Sequence, residues 1–184
     1  AAAVVPVLDD GRILMVRQYR NALERYTLEI PAGKLDASDE PGLSCARREL
    51  EEETGYKTDD LERLITLRTT VAFCNEKIEV YVARNLMPSK QNLDPDEFVD
   101  VMAYGLEELK EKIFAGEIED SKTVAALLAY ESRCLKKYSQ AMKRSQSPLA
   151  VRADRALRIS INIYADRRER DCIGSTRTTE RVLP

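Results

Sequence analysis

An α/β or α+β fold is predicted for this chain of 184 residues, and three observations carry the prediction. Short runs of β-branched and apolar residues alternate with stretches whose apolar positions recur every three and four residues. Gly, Pro and Asp cluster where one pattern gives way to the other. The composition, 43% hydrophobic and 33% charged with seven Gly and seven Pro, is that of a folded domain, neither disordered nor fibrous. The length corresponds to about one domain with a tail to spare.

Val4 to Leu8 and Ile13 to Val16 flank Asp9-Asp10-Gly11-Arg12, turn chemistry that predicts a hairpin. Tyr26 to Ile30 reads as a short strand closed by Pro31-Ala32-Gly33, and a polar loop follows through Asp36 to Asp39. From Glu40 to Thr54 the pattern is helical: Pro41 suits a first turn, Leu43, Ala46 and Leu50 recur at three and four, and Gly55 is the stop. Leu64 to Val71, Lys77 to Ala83 and Val99 to Tyr104 are predicted strands. Leu106 to Phe114 and Ser121 to Tyr138 return to helical spacing.

Charge divides the chain. Residues 1–132 hold 16 Lys+Arg against 27 Asp+Glu, a net −11, whereas residues 133–184 hold 13 against 5, a net +8. A folded domain over 1–135 followed by a basic extension over 136–184 is the expected organisation. One alternating stretch of the extension, Arg158 to Tyr164, has strand character, and no stacking or groove-reading motif accompanies its charge, so a nucleic-acid partner is not expected. No apolar run of 18 residues occurs, and residues 1–8 lack the basic start of a signal peptide, which predicts neither a membrane span nor export. Cys45, Cys74, Cys134 and Cys172 stand at least 29 residues apart, with no metal knuckle or redox pair, as expected of thiols in a reducing cytoplasm.

The chain contains no histidine. That removes Ser-His-Asp and Cys-His nucleophile pairs and His-ligated zinc, leaving carboxylates, Lys, Tyr or Cys for acid–base and metal chemistry. Glu49, Glu51, Glu52 and Glu53 crowd four acids into five residues near a helix C-terminus, where both mutual repulsion and the helix dipole oppose them. At about 100° per residue Glu49, Glu52 and Glu53 share one face. A divalent cation would offset both penalties, and oxygen ligands suit Mg2+ or Mn2+; a solvated acidic face is the other account of the acids taken alone.

The surrounding residues are more specific. Gly33, Glu40, Arg48-Glu49-Leu50, Glu52-Glu53 and Gly55-Tyr56 resemble the Nudix box, with six residues instead of five between Gly33 and Glu40. Beyond the box, Arg17-Gln18-Tyr19-Arg20, Leu28 to Lys34, Phe73 to Glu76 and the helix entered through Gly116 to Ser121 resemble the branch of Nudix enzymes that hydrolyses ADP-ribose. The resemblance spans roughly residues 3–135. Thr70-Val71-Ala72 stands where many members carry Ser-Pro-Gly.

The resemblance implies a mixed sheet sandwiched between helices, and hydrolysis of the diphosphate of ADP-ribose or a related nucleoside diphosphate sugar. It implies Glu49, Glu52, Glu53 and the carbonyl of Ala32 as ligands to Mg2+ (or Mn2+), with Gly33 admitting close approach of the backbone. Glu97, in the acidic loop Leu93 to Phe98, is the expected base, with Glu52, Asp94 and Asp96 as competitors. Arg20 is expected near the phosphates, Glu76 near the terminal ribose, and Glu40, Arg48 and Gly55 as structural members of the box, Asp39 competing with Glu40 for Arg48. Tyr19 and Tyr26 are expected to be core or interface aromatics. A homodimer is implied, and about forty residues forming an extra sheet that exchanges across the dimer usually precede this region in the branch; the chain opens in a strand without Met, predicting either residues upstream or an altered dimer and base pocket. Other nucleotide substrates, a dinucleoside polyphosphate or an RNA cap, and a non-catalytic ADP-ribose sensor with a nucleic-acid-binding tail are the alternatives.

Overall fold

A computed structural model of the chain describes residues 1–93 and 97–144, with side chains to residue 133. The chain divides after Cys134, and the unit Ala1–Cys134 carries the architecture below.

Its frame is a mixed four-stranded sheet in the order β4-β1-β7-β6, built from β1 (Ala2–Pro6), β4 (Ala32–Gly33), β6 (Leu61–Arg68) and β7 (Lys77–Ala83). β1 and β7 run parallel, from Ala2 opposite Glu79 to Pro6 opposite Ala83, and the outer pairs are antiparallel. Every residue of β1 is buried, which explains a continuous apolar run where a half-exposed strand would alternate. Successive residues feed opposite cores. Ala3, Val5, Ile78, Val80 and Val82 cluster with Leu109, Ala126 and Leu127 of helices α2 (Leu106–Phe114) and α3 (Ser121–Arg144). Ala2, Val4, Tyr81 and Ala83 cluster with Cys45, Ala46 and Leu50 of helix α1 (Gly42–Thr54). The mixed sheet therefore lies between helices, as the resemblance implied. A second, antiparallel sheet has β2 (Ile13–Arg20) between β3 (Arg25–Glu29) and β9 (Val99–Tyr104). The two-residue strands β5 (Tyr56–Lys57) and β8 (Met87–Pro88) pair with each other; they are too short to show a period in the sequence.

Several expectations need correction. The turn at residues 8–12 forms, with Gly11 at φ 85° and its N–H on the Leu8 carbonyl at 2.9 Å, but β1 and β2 do not make a hairpin. Both edges of β1 are taken by β4 and β7, so β2 enters the other sheet and a single bridge, Val7 to Ile13, joins the two outside the strands. The strand expected at 64–71 occupies 61–68, and the chain then turns, held by Arg68 donating to the Asn75 carbonyl at 2.6 Å. Helix α1 begins at Gly42, not Glu40: Pro41 is its extended N-cap, and Glu40 is engaged in the preceding loop through its N–H to the Ala37 carbonyl. α3 continues past Tyr138 to Arg144. The stretch 158–164 lies outside the described residues.

Candidate active site

Helix α1 is laid on the sheet by Cys45, Ala46 and Leu50, all fully buried. Burying a leucine side chain is worth about 1.5–3 kcal/mol, enough to fix which face the helix turns inward. That orientation carries Glu49 and Glu53, one turn apart, into the interior at 8% and 4% exposure, while Glu52 stays half-buried. The acids thus share a side of the helix as the spacing predicted, and two of them are buried. Against them lies β4. The Ala32 N–H donates to Glu53 at 3.2 Å, and a Cβ added to Gly33 would fall 1.9 Å from Glu49 Oε1. Only a glycine lets this backbone meet Glu49 so closely.

Arg48 organises the acids. Its Nη1 donates to Glu49 at 2.8 Å and Glu52 at 2.9 Å, and its Nη2 to the Lys34 carbonyl at 2.8 Å. Asp36 and Glu40 lie 3.1 and 3.6 Å from the guanidinium, so Glu40 and not Asp39 is the box acid within ion-pair distance. Within the lengthened loop the Asp36 N–H donates to Glu40 at 2.7 Å. Burial works against the Arg48 charge, but hydrogen bonds to Glu52 and Glu49 outweigh it and raise its pKa.

The acids themselves are under electrostatic tension. Burial, then the neighbouring charge of Glu49, pushes Glu53 up to about 8. Burial also raises Glu49, with Arg48 opposing and Glu52 and Glu97 adding to the rise. Glu97 is exposed in the loop before β9, and its charge adds to the upward shift of both Glu49 and Glu53. Asp94 and Asp96 lie outside the described residues.

A basic flank completes the site. Arg20, at the end of β2, grips Glu29 of β3 with two hydrogen bonds of 2.7 and 2.6 Å, and Lys122 of α3 pairs with the same carboxylate. Thr27 donates to it at 2.7 Å. Burial opposes the Glu29 charge, but these partners hold its pKa down to about 2. The charge of Glu53 is felt by Arg20, and that of Lys122 by Glu53, so the pair of cations borders the acids. Asp120 caps the first turn of α3, accepting from the Thr123 N–H at 3.0 Å and from Lys122 at 3.0 Å, and Thr123 accepts from the Ile30 N–H at 3.0 Å. These bonds set Lys122 beside Glu29. A cleft of about 430 Å³ opens here, lined among others by Arg20, Tyr26, Glu29, Asp120 and Lys122.

The sequence alone gives Glu29, Lys122 and Asp120 no role. The signal for Glu29 was an acid directly between Leu28 and Ile30 in a strand; nothing in the sequence pointed to Lys122, 93 residues away. Glu76 stands exposed in the 69–76 loop, and among the described residues its side chain makes no hydrogen bond or ion pair with the acid cluster. Tyr19 and Tyr26 are not core residues: they form an edge-to-face pair at 5.4 Å, about half exposed, with Arg17 stacked 3.8 Å above Tyr26. Gly55 ends α1 at φ 70°.

The donor set fits a hard divalent cation. Oxygen ligands without His or thiolate favour Mg2+-like ions, and mutually repelling buried carboxylates are the environment a cation relieves. Among the described residues no three acids already stand in ligating arrangement: Arg48 holds Glu49 and Glu52, and the Ala32 N–H holds Glu53.

The fold and this acid-bearing helix match known proteins. Residues 1–127 match the family model of the NUDIX domain. The chain is 43% identical over 129 residues to the ADP-ribose pyrophosphatase of Bacillus subtilis (strain 168), covering 69% of each chain. It is 45% identical over 130 residues to the methanol dehydrogenase activator of Bacillus methanolicus, again 69% of each. A crystal structure of an ADP compounds hydrolase superposes with a TM-score of 0.68 at 25% identity, over 74% of this chain and 72% of that one. The chain belongs to the Nudix family. It is a hydrolase, similar to ADP-ribose pyrophosphatases, and enzymes of this family generally use a divalent metal ion. Among the described residues no helix is long and apolar enough to cross a membrane.

Proposed function

We propose that the enzyme splits ADP-ribose, or a related nucleoside diphosphate sugar, with water: one P–O bond of the diphosphate breaks, giving AMP and ribose 5-phosphate from ADP-ribose. The observation that carries this reading is the juxtaposition of buried Glu49 and Glu53 with the Gly33 backbone on one side and the Arg20–Lys122 flank on the other. Acids on one side and cations on the other suit a diphosphate, whose charge must be spread before a nucleophile can approach phosphorus.

Glu49, Glu52, Glu53 and the Ala32 carbonyl are the residues that would hold Mg2+ or Mn2+. A divalent ion held by these residues would supply positive charge to offset that of the diphosphate oxygens and so ease nucleophilic approach to phosphorus. Arg48 keeps Glu49 and Glu52 oriented and does not touch substrate. Gly33 leaves the space a side chain would close, and Arg20, steadied by Glu29, faces the phosphates. Glu97 takes the proton of the attacking water, with Glu52 as the other candidate and Glu76 on the terminal ribose. Residues 1–135 form the catalytic domain, the basic 136–184 extension has no catalytic part, and the enzyme works as a cytoplasmic homodimer.

Product analysis over a panel of ADP-ribose, other nucleoside diphosphate sugars, dinucleoside polyphosphates and capped RNA tests the reading. Fastest release of AMP from ADP-ribose supports it. Preference for a polyphosphate or a cap replaces the substrate, and tight ADP-ribose binding without cleavage replaces the enzyme with a sensor.

A further inference from the structure

The C-terminal end of α1 presents carbonyls that the helix cannot satisfy itself, and the segment 89–92 satisfies them. The Asn92 N–H donates to the Glu52 carbonyl at 3.0 Å and the Ser89 N–H to the Gly55 carbonyl at 2.6 Å. The Glu53 carbonyl is taken by a side chain: Gln91 Nε2 donates to it at 2.7 Å and, with its second proton, to the Val99 carbonyl at 3.3 Å. Two carbonyls can be served only by an amide nitrogen, which fixes which end of the Gln91 side chain lies here. Gly55 belongs to the same arrangement, because a Cβ there would meet the Gln91 backbone nitrogen at 3.1 Å.

Gln91 precedes the segment that carries Glu97, and Val99 ends it. One side chain therefore ties the two ends of that segment together and ties both to the backbone of Glu53. Glu97 is two residues from Val99, so its Cα lies within about 7 Å of the Val99 Cα, which bears the tied carbonyl. Val99 also opens β9, opposite Gln18 of the strand that ends in Arg20.

We propose that Gln91 is a positioning residue: it holds the Glu97 segment in register with the buried acids of α1, and so sets where the base stands relative to Glu53. The proposal rests on Glu97 being the base. Glutamate could not replace it, because a carboxylate has no N–H and would face two carbonyl oxygens at the negative end of a helix.

A double-mutant cycle tests this, using Gln91→Met, which keeps the shape and removes both donors, with Glu97→Gln and the pair combined. Gln91→Met is expected to lower kcat by about 10- to 100-fold with KM within about twofold, and to cost nothing further in the Glu97→Gln background. Faster backbone hydrogen exchange at Glu97 and Phe98 should accompany it. Gln91→Glu, scored per folded molecule by thermal melting, should be at least as impaired. Wild-type turnover in Gln91→Met, or the same loss with and without Glu97, would overturn the proposal while leaving Glu97 in place. Wild-type turnover in Glu97→Gln alone would instead overturn the assignment of the base, and the proposal with it.

Discussion

Arg20 and Glu29 form a two-pronged ion pair across neighbouring strands, in which the Glu29 side chain is 4% exposed and the Arg20 side chain 42%. A buried charge is costly unless its lone pairs are filled, and here Arg20, Lys122 and Thr27 fill them. The consequence is an arginine held at the rim of the cleft with part of its side chain facing outward, while its inner edge is spent on Glu29. Structure and site are joined at this pair.

Acid stability should report it. The Glu29 carboxyl has a folded pKa of about 2, below its ordinary 4.5, so the folded state holds fewer protons than the unfolded chain between these values. Its contribution, about 3 kcal/mol, is complete above pH 4.5 and is lost as pH falls toward 2. Glu29→Gln is expected to melt lower at pH 7 and to show a shallower fall in Tm between pH 4.5 and 2.5. Parallel Tm profiles for the two proteins would contradict this.

Glu53→Gln should separate stability from activity. Removing one of two repelling buried carboxylates relieves the metal-free fold, and the amide oxygen can still accept from the Ala32 N–H. The variant is expected to melt at or above the wild-type temperature without metal, to show no rise in Tm on adding Mg2+ where the wild type is expected to show one, and to lose about 100-fold or more in kcat. Thermal melts with and without Mg2+, beside turnover, check all three.

Gly33→Ala tests the close approach of β4 to α1. A methyl group cannot stand 1.9 Å from Glu49 Oε1, so Glu49 must swing away from Arg48 or the strand must shift. Turnover is expected to fall by about 10-fold or more with a loss of about 1–3 kcal/mol in stability, measured by denaturant unfolding. Unchanged turnover would show that Glu49 does not need this position.

Much of this site was legible because its chemistry is local. Glu49, Glu52, Glu53, Arg48 and Gly55 sit on one helix and its stop, where spacing alone fixes a shared face. Strands such as Lys77 to Ala83 and Val99 to Tyr104 were readable within their own residues. What escaped was pairing at long range. Which strand lies beside β1 depends on competition for its two edges, so the turn at Gly11 was visible and the sheet it joins was not. Lys122 reaches Glu29 because α3 is capped by Asp120 and docked through Thr123 on Ile30, a sequence of contacts with no signature at either end. Gln91 is a single polar residue in a loop, and its meaning comes wholly from the two carbonyls it meets.

The most direct test is AMP release from ADP-ribose by the full chain with Mg2+, followed by chromatography beside an EDTA control and Glu53→Gln. The wild type with metal is expected to give equal amounts of AMP and ribose 5-phosphate, the EDTA control neither above background, and Glu53→Gln at most about a hundredth of the wild-type rate. Equal turnover by Glu53→Gln, or turnover indifferent to EDTA, would contradict the assignment of the buried acids of α1 as the centre of the reaction.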